Sequence, residues 1–100
     1  MTIKEIQDKI KAGSHRYSDH AVKRMIKRSI EDHEVEQAVL TGEIIEEYPR
    51  DKYSPSCLVF GTTDKGRPLH VQVSFPPQVV IITVYEPDQD EWTDYRVRRR

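Results

Sequence analysis

Apolar residues recur roughly every three to four positions as far as Gly42, and beyond it they alternate or run together. The pattern therefore predicts helices first and strands afterwards. Thr2 and Glu5 stand at capping-box spacing, Ile3, Ile6 and Ile10 share a face, and Gly13 follows, so a first helix is expected from about Ile3 to Ala12. Ser14 to Tyr17 reads as an irregular connection or a short edge strand. Ser18 or Asp19 can cap a second helix through about Ser29. On that helix Ala21, Val22, Met25 and Ile26 fall on one side, and His20, Lys23, Arg24, Lys27 and Arg28 on the other. Ile30 and Val35 stand at hydrophobic-staple spacing around the start, near Glu31, of a third helix that buries Val35, Ala38 and Val39 and ends at Gly42.

Four strands follow, at Ile44 to Tyr48, Cys57 to Gly61, Leu69 to Phe75 and Val79 to Tyr85, separated by Pro49, Pro55, Asp64/Gly66 and Pro76-Pro77. Consecutive strands with short turns predict an antiparallel meander. In the third, Leu69, Val71, Val73 and Phe75 alternate with His70, Gln72 and Ser74, so His70 should point away from the core face. Val79 to Val84 does not alternate, as suits a central strand covered on both sides. The expected fold is α+β, with N-terminal helices (about 3–42) packed on a four-stranded, mainly antiparallel sheet (about 43–86). A C-terminal basic segment (87–100) completes a single domain spanning 1–100.

The chain has 100 residues, 36% hydrophobic and 33% charged, enough for one core. Its longest apolar run is too short to cross a bilayer, and its first residues lack a signal peptide's order. A lone cysteine, Cys57, forms no internal disulfide. A cytoplasmic protein without membrane contact is expected. The net charge of -1 hides a division, because residues 1–30 are strongly basic and residues 31–53 strongly acidic. A cationic patch is thus compatible with an unremarkable net charge.

Candidate chemistry concentrates on the second helix. His20, Arg24 and Arg28 recur at i, i+4 and i+8, a stripe that fits an extended polyanion, and Lys23 and Lys27 widen it. Guanidinium groups fork onto phosphate oxygens, and a histidine exchanges a proton near neutrality. The same stripe is also what a solvated helix face looks like. His70, with Gln72 and Ser74, would extend the surface across the sheet. Tyr85 would set a phenol at the sheet rim, for hydrogen bonding or stacking, or else lie buried. Trp92 reads as an anchor for the C-terminal segment, and Arg96, Arg98, Arg99 and Arg100 as weak phosphate contacts. The histidines and Cys57 make no zinc spacing, and no phosphate-binding glycine loop is present. No metal or cofactor is expected.

The run His20 to Ile30, with Gly42 to Tyr48, Leu69-His70-Val71, Ile82 to Pro87 and Trp92, resembles a bacterial family catalogued as domain of unknown function four-two-five-eight. The resemblance spans His15 to Trp92. It departs from the family at Ser29, where glycine is usual, and at Glu31, where a serine or threonine cap is usual. The order of elements also looks like that of the RelE/BrnT ribonuclease toxins. That likeness implies a metal-independent endoribonuclease of a toxin-antitoxin pair, with RNA or the ribosome and an antitoxin-like protein as partners. Arg24 and Arg28 would hold the scissile phosphate, and His20 or His70 would move the proton of the 2'-hydroxyl or of the leaving oxygen, with His20, Arg24, His70 and Tyr85 as the catalytic set. Lys23, Lys27, Arg28, Arg98 and Arg99 would bind RNA. The alternative is a non-catalytic module of the same fold that binds nucleic acid or protein. A third is a homodimer pairing basic helices with the acidic one.

Overall fold

The structure, a computed structural model, describes residues 2–52 and 54–99. Of the terminal arginines, Arg100 lies outside the described residues. Three helices, α1 (Ile3–Lys11), α2 (Asp19–Arg28) and α3 (Asp32–Thr41), alternate with or precede seven strands. These are β1 (His15–Tyr17), β2 (Glu43–Tyr48), β3 (Ser56–Thr62), β4 (Pro68–Ser74), β5 (Val79–Tyr85), β6 (Trp92–Thr93) and β7 (Val97–Arg98).

The helix ends follow local chemistry. The Thr2 N–H donates to the Glu5 carboxylate at the start of α1, and the Ser18 hydroxyl accepts from the Ala21 N–H at the start of α2. Ser29 is left-handed at φ 54° and ψ 47°; it ends α2 at the modest steric cost of a small polar residue there. Glu31 begins α3 without a hydroxyl, because the Glu34 side chain accepts from the Glu31 N–H at 3.0 Å. That bond, more than any other influence, holds the Glu34 carboxyl below its ordinary range.

The main sheet has five strands, not four, in the order β1-β5-β4-β3-β2. The expected meander β2 to β5 is antiparallel throughout, and β1 adds a parallel edge by pairing His15 to Tyr17 with Val79 to Ile81. Three residues from the helical half thus complete the sheet, a long-range pairing that local periodicity does not encode.

One sheet face carries the core. Cys57, Val59, Leu69, Val71, Val73, Ile81 and Val84 meet Ile6 and Ile10 of α1 and Val35, Ala38 and Val39 of α3, all essentially buried. Each such fully buried aliphatic side chain contributes about 1.5–3 kcal/mol. Gly61 on β3 lies so close to α3 that a Cβ there would stand 1.8 Å from the Ala38 carbonyl oxygen. This contact sets the distance between helix and sheet.

Helix α2 packs differently from the reading by periodicity. Only Ala21 is buried; Met25 packs against the core cluster, while Val22 is 41% and Ile26 76% exposed. Its principal neighbour is β5 alone. A helix laid along one strand covers a narrow stripe, so half of its apolar side faces water.

The opposite sheet face is not an open polar surface either. Residues 87–99 fold back over it, burying Trp92 and placing β6 and β7 as a small hairpin of their own. Trp92 is therefore the anchor its position implied.

Candidate nucleic-acid interface

Ser18 fixes the start of α2 against the sheet: its hydroxyl donates to the Ile82 carbonyl at 2.8 Å while its N–H donates to the Ile81 carbonyl. At the other end Arg67 donates to the Arg28 and Ser29 carbonyls and to the carboxylates of Glu34 and Glu86. These bonds satisfy carbonyls left open at the C-terminus of α2 and tie them to α3. Sequence reading missed Arg67; its only signal was a lone cation after the Gly66 turn.

Held at both ends, α2 presents His20, Lys23, Lys27 and Arg28 to solvent, with Arg24 half-buried. Among the described residues none of these five side chains has an acidic partner within salt-bridge distance. The four lysine and arginine charges remain available to a polyanion. Burial raises the pKa of the Tyr85 phenol, and the charges of Arg98 and, least, Arg24 oppose that rise.

The C-terminal arginines behave otherwise. Arg98 pairs with Glu46 at 2.9 Å and lies 4.7 Å over the Trp92 ring, and Arg96 pairs with Glu43 and lies 4.8 Å over Phe60. Arg99 donates to the Gln89 carbonyl. Arg98 and Arg99, expected to bind RNA, thus each commit a donor within the fold. Arg96 and Arg98 hold residues 87–99 to the acidic strand β2, and Arg99 ties the segment to itself.

His70 occupies the middle of the covered face. It has no exposed surface, and rings surround it: Trp92 at 4.4 Å, Tyr85 at 5.3 Å and Phe60 at 5.9 Å between centroids. Its Nε2 lies 2.6 Å from the Tyr95 carbonyl oxygen, an acceptor, so Nε2 carries the proton and Nδ1 accepts from the Tyr85 hydroxyl at 3.2 Å. Burial pushes its pKa down, outweighing the raising influences of the Tyr95 carbonyl and Glu46. The arrangement is that of a neutral, fully bonded histidine. His70 does point away from the core, but the expected polar surface is closed, since Trp92 and Tyr95 supply the apolar cover that the alternation of β4 could not reveal.

The four residues singled out as catalytic are not brought together at one site. His70 and Tyr85 are in contact, whereas His20 lines a separate cavity with Arg16 and Val80, and Arg24 lies half-buried on α2. Cys57 is buried, and burial pushes its thiol up to about 12, as a core residue requires. Among the described residues no group of three or more His, Cys, Asp or Glu side chains is placed to hold a metal ion, and no helix is long and apolar enough to cross a membrane.

Neither a search of curated proteins nor one of solved structures returns a match. A family model described as Domain of unknown function (DUF4258) matches residues 17–86, from the last residue of β1 to the one after β5. The chain, matched over most of its length, belongs to that family.

Proposed function

We propose that this protein is a toxin-like RNA-binding module that takes the RNA backbone along the outer face of α2. The observation that carries the reading is the contrast in pairing. His20, Lys23, Arg24, Lys27 and Arg28 have no acidic partner among the described residues, while Arg67, Arg96 and Arg98 are all paired. Cations concentrated on one helix without counter-charges form a track for phosphates, and such contacts dominate nucleic-acid affinity.

Catalysis as a metal-independent endoribonuclease is a second reading, favoured by His20 and Arg24 lying one helical turn apart on α2. On that reading Arg24 stabilises charge on the phosphate, and proton transfer falls to His20, because His70 is buried with both nitrogens engaged. Binding without turnover needs no such group and is the better supported.

The test is fluorescence anisotropy with a labelled single-stranded RNA across a salt series, on the native chain and on the double variant Lys23→Ala/Lys27→Ala. Each lost phosphate contact removes about 0.7 from the log–log salt slope, so the double variant should be shallower by about 1.4. An unchanged slope and affinity would sink the proposal. Incubating the same RNA with and without EDTA separates the readings: intact RNA leaves a binder, and chelator-resistant cleavage lost in Arg24→Ala establishes an enzyme.

A further inference from the structure

Residues 87–99 cover the sheet face around His70, and at the other end of β5 no described residue covers that face. Val79 and Ile81 enter the core, but Val80 between them and Ile82 after them line a cavity of about 550 Å³ bounded by Arg16, His20, Ser54 and Gln78. This is why the sequence of β5 does not alternate: it is apolar on both faces, although no part of the described chain buries the second face here. Pockets for small organic groups occupy about 300–1,000 Å³, apolar with a few polar groups at the rim.

The rim has that character. The hydroxyls of Ser18 and Ser74, which also border the cavity, are turned onto backbone groups of Ile82, Ala21, Gln78 and Val80. In contrast, the Arg16 guanidinium, the His20 imidazole, the Ser54 hydroxyl and the Gln78 carboxamide have no hydrogen-bond or ion-pair partner among the described residues. Two groups suited to an anion and two suited to donor and acceptor edges surround an aliphatic floor. His20 belongs to this rim and also begins the cationic stripe of α2, so cavity and stripe are continuous.

We propose that the cavity receives one unstacked nucleobase of a single-stranded RNA whose backbone continues along α2. The base lies on Val80 and Ile82, its polar edge meets Gln78 and Ser54, and its phosphate sits between Arg16 and His20. This inference rests on the RNA-binding reading and makes it specific to single strands. A base within a duplex is stacked on both faces and paired at its edge, and does not enter without being pulled out.

The test compares a labelled single-stranded oligoribonucleotide with a hairpin of equal length and charge at one salt concentration. The native chain and the double variant Ser54→Leu/Gln78→Leu are measured; the variant fills the cavity and removes both edge groups without changing charge. The single variant Gln78→Leu, at an exposed turn, guards against misfolding, and circular dichroism checks that each variant is folded. The native chain should prefer the single strand by roughly tenfold, the scale of burying one small patch of aliphatic floor beneath the base. The double variant should lose that preference while binding the hairpin as before, and the single variant should lose part of it. Equal native affinity for both RNAs, or an equal loss on both in the variants, overturns the base pocket and leaves the phosphate track standing. No binding of either RNA overturns the RNA-binding reading itself, and the pocket with it.

Discussion

His70 is the residue whose replacement tests the architecture of the covered face most directly. In His70→Ala the ring is lost from contact with Trp92, Tyr85 and Phe60, and the Tyr95 carbonyl loses its donor. Removing a buried ring and leaving one buried acceptor unsatisfied together cost about 3–5 kcal/mol. In His70→Phe the ring packing is retained and the cost is the unpaired polar groups alone, about 1–3 kcal/mol. Both are large against the 5–15 kcal/mol total of a typical domain. The native histidine should also impose a pH dependence. Its folded-state pKa lies below the ordinary 6.5, so the unfolded chain binds the extra proton first. Stability from this group is full above that ordinary value and falls as the pH drops through it toward the depressed folded value, at up to about 1.4 kcal/mol per pH unit. The lowered carboxyls of Glu34 and Glu46 act below their ordinary 4.5, outside that window. Urea unfolding followed by the fluorescence of the single tryptophan, Trp92, at about pH 7.5 and about pH 5.5 measures both effects. A cost below about 1 kcal/mol for His70→Ala would refute the argument, as would a native slope between the two pH values no steeper than that of His70→Phe.

Two further outcomes follow from the packing. Gly61→Ala drives a methyl group into the Ala38 carbonyl and must push α3 off the sheet, so chemical denaturation should show a loss of about 3 kcal/mol or more. Cys57, with its thiol at about 12, should resist a disulfide reagent in the native chain at neutral pH and react promptly in urea; rapid native labelling would contradict its burial.

The elements that sequence made legible are those set by neighbours along the chain. The capping pairs, the apolar faces of α1 and α3 and the turn residues between strands located three helices and the meander. What escaped it depends on distant partners. The parallel pairing of β1 with β5 joins segments some sixty residues apart, and Tyr17 gives no local sign of Ile81. Val22 and Ile26 have the right spacing to be buried, but spacing cannot show that α2 meets a single strand. The site divides in the same way. The cations of α2 were visible as a periodic stripe, whereas the cover over His70 and the pairing of Arg98 with Glu46 arise only when residues 87–99 return to the sheet. Alternation in β4 identified the side of the sheet on which His70 lies, and said nothing of what that side would meet.

The outermost strand of the sheet, β2, carries Glu43, Glu46 and Glu47, and its pairing with β3 shifts register between Ile44 and Glu46. An edge strand offers unpaired backbone groups to any extended peptide, and a second copy of the same strand is the commonest intruder. Here a row of carboxylates would confront an identical row, and the bulge twists the edge away from the flatness that stacking requires. Arg96 and Arg98 offset part of that repulsion by pairing with Glu43 and Glu46, which leaves Glu47, without an ion-pair partner among the described residues, and the bulge as the main deterrents. The acidic edge thus carries its own guard against strand-to-strand association.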